Sequence, residues 1–371
     1  MKIALFAGGS FYGDVGPFLE IAKRLETLGY ETLLVIPEEF SDKTTDFTCC
    51  YYMGDVLSKE LEESSPSYGR MIYGILENLL QNAFHRIDTV LEACKDVDVI
   101  LSHPLCAISG VVSDYYNIKN IELLISSMYF DYDGTETRTK FLNDIGLTAL
   151  NECRKKLNLN AATNISMDIF SNNNTKITLF PKFYVNTNNP SVVFGNFIHY
   201  EECDDLPVEL LDFIESGYPP VVFAMGSGSK HMMDPPNFNE ITVEIAKKYR
   251  SILLGKSDVR HDNIFVCDFP IPHSKLFPLA SMVVTHGGIG TIGKCLASNT
   301  PQIAVPQMPE NKVNAELLSY LITVIDPSNY NIDTISNAIE NCNYNFDLGK
   351  QYSSVVNSIN VIDIIEKNIN N

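Results

Sequence analysis

Short apolar runs bounded by glycine, proline and acidic residues recur along the chain, and the segments between them carry apolar residues at helical spacing. Ile3 to Ala7 is apolar throughout, which suits a strand covered on both faces. A Gly-rich turn follows. The next segment has Pro17 at its first helical position, apolar residues at 18, 21, 22, 25 and 28, and Gly29 just past its end, so it predicts an amphipathic helix with a defined start and stop. Further strands are predicted at Thr32 to Ile36, Val97 to Leu101 and Asn120 to Leu124, with one long amphipathic helix over 70–95.

Residues 156–205 break this pattern. They are rich in Asn and Thr and include Ser171-Asn172-Asn173-Asn174-Thr175, a composition that reads as loop or linker. Past the turn Gly217-Tyr218-Pro219-Pro220 the alternation resumes, with strands predicted at Val221 to Met225 and at about 251–254, 263–266, 282–285, 302–305 and 322–325, and a closing helix over 349–368. Alternation that occurs twice predicts an α/β chain of two Rossmann-like, doubly wound domains facing each other across a cleft. The expected boundaries are 1–200 and 201–350, with 351–371 a C-terminal helix packing back toward the first domain. Folds of this kind bind ligands outside the carboxyl ends of their strands, so candidate chemistry belongs in the strand-to-helix loops.

Composition narrows the partners. The 371 residues are 45% hydrophobic, enough for two sizeable cores, and Lys+Arg 27 against Asp+Glu 46 leaves a net charge of −19. Such a surface repels nucleic acid and anionic lipid, so an anionic ligand has to be held by local backbone donors. No apolar run reaches the roughly 18 residues that cross a bilayer, and the first apolar stretch is too short for a signal peptide. Nine cysteines without a C-x-x-C pair or a His-rich cluster read as reduced thiols of a cytoplasmic protein, with no metal site.

The strongest motif is Val283-Val284-Thr285-His286-Gly287-Gly288-Ile289-Gly290-Thr291-Ile292-Gly293-Lys294. A buried strand ends, glycines let the backbone approach a ligand, and a helix starts with free N–H groups and a positive dipole end: the elements of a diphosphate cradle. With it stand Gly8-Gly9-Ser10-Phe11-Tyr12-Gly13-Asp14-Val15-Gly16-Pro17-Phe18, Pro219 to Ser227, Pro272 to Phe277 and Pro301 to Pro306. On these ordered motifs the chain resembles the UDP-glycosyltransferase superfamily, the family-one inverting glycosyltransferases of GT-B fold, nearest the sterol and antibiotic branch. The resemblance runs over nearly the whole chain and is strongest at 3–29 and 219–317.

It implies an inverting, metal-independent transfer of a sugar from a nucleotide-diphosphate sugar, the co-substrate, to a hydroxyl acceptor, with no other cofactor. It also implies that His286, Gly288, Gly290 and Thr291 hold the diphosphate, that Ser227 approaches it, and that Ile271 and His273 meet the base and ribose. Glu310-Asn311 replaces the Asp-Gln that contacts donor sugar hydroxyls. Pro270 stands where plant relatives have a base-stacking Trp. Lys294 replaces a Glu that accepts bonds from ribose hydroxyls, and an ammonium has no acceptor to offer, so UDP and dTDP donors both stay open.

In the first domain Asp14 matches the general base of antibiotic-branch relatives, and a carboxylate there can take the acceptor's proton. Its structural alternative is a cap on the helix that follows. His103, in Ser102-His103-Pro104 after a later strand, is the second catalytic candidate. Phe47, Tyr51, Tyr52, Tyr68 and Tyr73 fall where relatives form the acceptor pocket, which implies a small, apolar or planar acceptor. Two other functions are carried beside this one. Lys294 would suit a nucleotide-sugar-binding relative that lost catalysis and acts as a sensor or partner protein. Gly8, Ser10 and Gly13, with Glu38 and Glu39 after the second strand, approximate a Rossmann dehydrogenase fingerprint, although the central Ser fits it badly.

Overall fold

The computed structural model describes residues 1–55, 68–127, 130, 135–165, 174–185, 187, 189–225 and 238–370. It divides into two compact units, Met1–Tyr200 with Asn360–Asn371, and Glu201–Ile359.

The first unit is built on a parallel sheet of β1 (Lys2–Phe6), β2 (Glu31–Pro37), β3 (Cys49–Met53), β4 (Val99–Ser102), β5 (Lys119–Leu124), β6 (Thr175–Thr178) and β7 (Val192–Val193), in the order β3-β2-β1-β4-β5-β6-β7. Both faces are buried. Ile3 and Leu5 pack with Phe18, Leu19, Ile21 and Leu25 of the helix Gly16–Thr27, while Ala4 and Phe6 join Leu79, Leu80, Ile108 and Val111 on the other side. Of the expected apolar stripe on that first helix, Leu28 lies beyond the last turn and is exposed; Gly29 then takes φ +89°, a left-handed turn open to glycine.

The region 70–95 is two helices, Tyr68–Gln81 and Ile87–Cys94, with a 3₁₀ turn at Asn82–Phe84 between them. Leu79, Leu80, Ala83, Phe84 and Ile87 are all buried, so the apolar period continues through the break and cannot reveal it. The strands β6 and β7 correct the expectation of a linker over 156–205. The polar strand Thr175–Thr178 is tolerated because Lys176 is buried against Glu122 of β5, Nζ to Oε2 at 3.2 Å. The expected helix over 349–368 is also two, Phe346–Ser358 in the second unit and Val361–Ile369 in the first. Asn360 separates them, its side chain accepting a hydrogen bond from the Ile362 N–H at 3.1 Å as an N-cap.

The second unit repeats the plan with β8 (Val221–Ala224), β9 (Ser251–Leu254), β10 (Ile264–Cys267), β11 (Met282–Thr285), β12 (Gln302–Ala304) and β13 (Thr323–Val324), all parallel, in the order β10-β9-β8-β11-β12-β13. In each unit the strand order reverses once, between β1 and β4 and between β8 and β11. Loops leaving those neighbouring strands diverge to opposite faces and open a crevice at the strands' carboxyl ends.

The last helix completes the first unit's core, with Val361, Ile362, Ile365 and Ile369 buried in the cluster that holds Ile3 and Leu5. Ile365→Ala should therefore destabilise the protein by about 2–5 kcal/mol in urea unfolding. A loss well below that range would show that this helix does not anchor the sheet.

Candidate active site

In the first unit the loop after β1 closes as a five-residue π-turn over Phe11–Val15, in which the Asp14 and Val15 N–H groups both donate to the Ser10 carbonyl at 3.0 and 3.2 Å. Such turns are rare and recur at functional sites. The turn folds the Asp14 side chain back over Gly9, which has φ +126°; a Cβ at Gly9 would stand 2.5 Å from Asp14 Oδ2. Oδ2 accepts the Ser10 N–H at 2.5 Å and the Ser10 hydroxyl at 2.8 Å. The helix that follows has no side-chain cap, so the capping alternative for Asp14 falls away.

The loop after β4 brings His103 to the same place, Nε2 to Asp14 Oδ1 at 3.5 Å. His103 Nδ1 accepts the Leu105 N–H at 3.2 Å, which assigns the proton of a neutral ring to Nε2, facing the carboxylate. The two catalytic candidates are thus one pair at the switch point. They differ in access: the Asp14 side chain is 25% exposed and the His103 side chain 0%, so only Asp14 can touch a ligand.

This geometry corrects the dehydrogenase reading. The Gly8-Ser10-Gly13 turn is filled by a carboxylate, which would repel a pyrophosphate, and Glu38 pairs with Arg86 at 2.8 Å. The aromatic group divides as well. Phe47 and Tyr51 pack with the cluster around Ile3, whereas Tyr52 is buried on the opposite face beneath Gly8, as the strand's period of two requires. Tyr73 is exposed, edge-on to Phe141 at 6.0 Å, and the Tyr68 side chain lies outside the described residues.

In the second unit His286 follows β11, Gly287 turns with φ +81°, and the helix Ile289–Ser298 starts at Gly288 with no side-chain cap. The first-turn N–H groups of Ile289, Gly290 and Thr291 have no carbonyl a turn earlier to bond, and they sit at the positive end of the helix. A Cβ on Gly288 would stand 2.5 Å from His286 Nε2, so this glycine seats the imidazole. A Cβ on Gly290 would meet nothing within 4 Å. Burial lowers the pKa of His286 to about 4, against a smaller opposing effect of the Ala224 carbonyl at the end of β8, and the ring is neutral at pH 7. Its Nδ1 is buried without a hydrogen-bond partner among the described residues, as are Asn311 Oδ1 and Gln307 Oε1. Asn311 and Gln307 are 7% and 8% exposed, and the Asn311 carbonyl lies 3.0 Å from where a Gly287 Cβ would be. Glu310 precedes Asn311 in the first turn of the helix Pro309–Glu316. Ser227 lies outside the described residues.

Ile271 puts its side chain into the core, leaving only its backbone to a ligand. His273 stacks on Phe277 at 5.0 Å, and burial together with the Lys294 charge lowers its pKa to about 3, with Glu201 opposing. Lys294 does not stand alone, because its Nζ is 3.1 Å from Glu201 Oε1. Sequence reasoning missed Glu201 and Gln307, and the role of Ser10 in holding Asp14. Gln307 sits in a strand-to-helix loop and could have been found by position; Glu201 carried no local signal. Among the described residues no three His, Cys, Asp or Glu side chains gather as a metal-holding group.

No protein-family model matches the chain. A sterol 3-beta-glucosyltransferase of Arabidopsis thaliana is 34% identical over 108 residues, 27% of this chain and 16% of that protein. A sterol 3-beta-glucosyltransferase of Kluyveromyces lactis is 23% identical across 82% of this chain and 29% of its own length. The chain thus spans less than a third of the length of these relatives. Among solved structures, the glycosyltransferase VinC in complex with dTDP superposes with a TM-score of 0.75 at 13% identity, covering 100% of this chain and 98% of that one. SsfS6 of Streptomyces sp. SF2575, complexed with thymidine diphosphate, gives 0.70 at 16% identity over 99% of both chains. The fold is that of the GT-B glycosyltransferases.

Folding lowers the His286 pKa from an ordinary 6.5 to about 4, so the unfolded chain takes up a proton that the folded chain refuses. The contribution is fully present above pH 6.5 and is lost as the pH falls toward 4. His286→Asn lacks this penalty. In urea unfolding the stability of wild type relative to the variant should decline across that window, and a constant difference would mean the imidazole is not desolvated.

Proposed function

We propose that this chain, which shares its motifs and its fold with the UDP-glycosyltransferase superfamily, is an inverting, metal-independent glycosyltransferase moving a sugar from a nucleoside-diphosphate donor to a hydroxyl of an apolar acceptor. The observation that carries this reading is what each unit holds at its own switch point. One holds an oriented, accessible carboxylate, and the other a neutral histidine beside an uncapped helix N-terminus.

Asp14 is the general base. Ser10 occupies Oδ2, which leaves the outward lone pair of Oδ1 to take the acceptor's proton as its oxygen bonds to the anomeric carbon. The bond from that carbon to the diphosphate breaks on the opposite side, and the configuration inverts. His103 is a positioning residue behind the base, its Nε2 proton directed at Oδ1. The departing diphosphate gains negative charge, which the N–H groups of Ile289, Gly290 and Thr291, the helix dipole and His286 stabilise without reorganising. Asn311 Oδ1 and Gln307 Oε1 are buried acceptors suited to donor-sugar hydroxyls. The sterol 3-beta-glucosyltransferases among the relatives support an apolar alcohol as acceptor. Nine free thiols support a reducing, cytoplasmic setting.

Asp14→Asn keeps the side chain's size and an oxygen for Ser10. It should leave melting and nucleotide affinity unchanged while transfer falls about 10²–10⁴-fold, read as nucleotide release from UDP-glucose and dTDP-glucose with a sterol acceptor. Near-normal transfer would sink the base assignment. Gly290→Ala separates binding from folding. A Cβ there meets open space, so stability should rise by about 0.4–1 kcal/mol while nucleotide affinity drops. Unchanged affinity by calorimetry would remove the diphosphate from this helix end.

A further inference from the structure

Glu201, the first residue of the second unit, lies in a loop, and its carboxylate is held from two directions. Oε1 accepts the Ser274 N–H at 2.9 Å and faces Lys294 Nζ at 3.1 Å, and Oε2 accepts the Ser274 hydroxyl at 2.5 Å. The Glu201 and Lys294 side chains are only 18% and 13% exposed. A largely buried ion pair between a loop and a helix is costly to desolvate and contributes little stability by itself. Its position suggests a use. Lys294 is three residues beyond Thr291 in the helix Ile289–Ser298, hence on the same face and about 4.5 Å further along the axis.

With a diphosphate at the start of that helix, the pentose esterified to it lies within about one helical turn of the cradle. Among the described residues Asn311 lies close to Gly287 at the beginning of the turn, and the Glu201–Lys294 pair lies one turn into the helix. The pair presents an acceptor, the remaining lone pair of Glu201 Oε2, beside a donor, the ammonium. A hydroxyl group is both donor and acceptor and satisfies the two at once, whereas a methylene satisfies neither. A site built to bond a hydroxyl rejects the analogue that lacks it, because its own polar groups are left unpaired.

We infer that Glu201, oriented by Ser274 and Lys294, reads the 2′-hydroxyl of the donor nucleotide, so that the protein selects ribonucleoside over deoxyribonucleoside diphosphates. Glu201 thereby restores from a distant loop the acceptor that Lys294 cannot supply, which narrows the choice between UDP and dTDP left open by position 294 alone. This rests on the proposed diphosphate site at Gly288 to Thr291.

The test is calorimetric binding of UDP and 2′-deoxy-UDP, which differ in one hydroxyl, to the full chain. UDP should bind about tenfold or more tightly, the scale of one hydrogen bond to a charged group. Glu201→Ala should bring the ratio close to one. Should the alanine variant melt early, the isosteric Glu201→Gln serves instead. The Ser274 N–H holds the amide oxygen at the Oε1 position, so the amide N–H₂ falls where the open acceptor was; the hydroxyl can then accept but no longer donate there, and the ratio should fall. Equal binding of the two nucleotides to the wild type, or an unchanged ratio in Glu201→Gln, would overturn the inference. Failure of both nucleotides to bind the wild type would overturn the diphosphate site itself, and the inference with it.

Discussion

The parallel pairing of β1 with both β2 and β4 is the constraint from which the first unit's chemistry follows. Parallel strands return through crossovers, so β1 is covered on both faces and its residues Ile3 to Phe6 are apolar. The same pairing sets the loops after β1 and β4 side by side at the carboxyl edge, where the backbone leaves the ladder and polar side chains can be exposed. Asp14 and His103 meet there although neither is near the other in sequence. The second unit repeats the arrangement at β8 and β11, with His286 against Ala224.

Each unit orients a carboxylate by the same device, one serine donating through both its backbone N–H and its hydroxyl. The two outcomes differ. Ser10 places both bonds on a single oxygen of Asp14 and leaves the other to face His103 and solvent, an arrangement that suits proton transfer. Ser274 divides its bonds between both oxygens of Glu201, fixing the plane of the carboxylate against Lys294, an arrangement that suits recognition.

A chain with a net charge of −19 offers an anionic ligand no attractive overall field. The candidate cradle is therefore made of short-range elements: helix N–H groups, a dipole end and an imidazole kept neutral by burial. Neutral donors are cheaper to bury than cations, and they acquire their full strength only when an anion excludes the remaining water. Among the described residues the buried Nδ1 of His286 and the side-chain oxygens of Asn311 and Gln307 have no hydrogen-bond partner, a cost that a bound ligand would offset.

Local chemistry was legible in the sequence alone. The strand at Ile3, the helix from Pro17 to Gly29, the repeat of the α/β alternation and the turn from His286 to Thr291 all depend on period, turn residues and helix ends, which act over a few positions. The strand β6 was hidden because its charged Lys176 is buried against Glu122 of another strand, and β7 because two residues are too few to show a period. The breaks at Asn82–Phe84 and Asn360 were hidden because apolar spacing or helix-forming residues continue across them. Asp14 and His103 were each readable as candidates. That they form one pair, that the histidine lies behind the carboxylate, and that Glu201 answers Lys294 were decided by tertiary structure, since only the register of parallel strands and the packing of distant loops bring those atoms within a few ångströms.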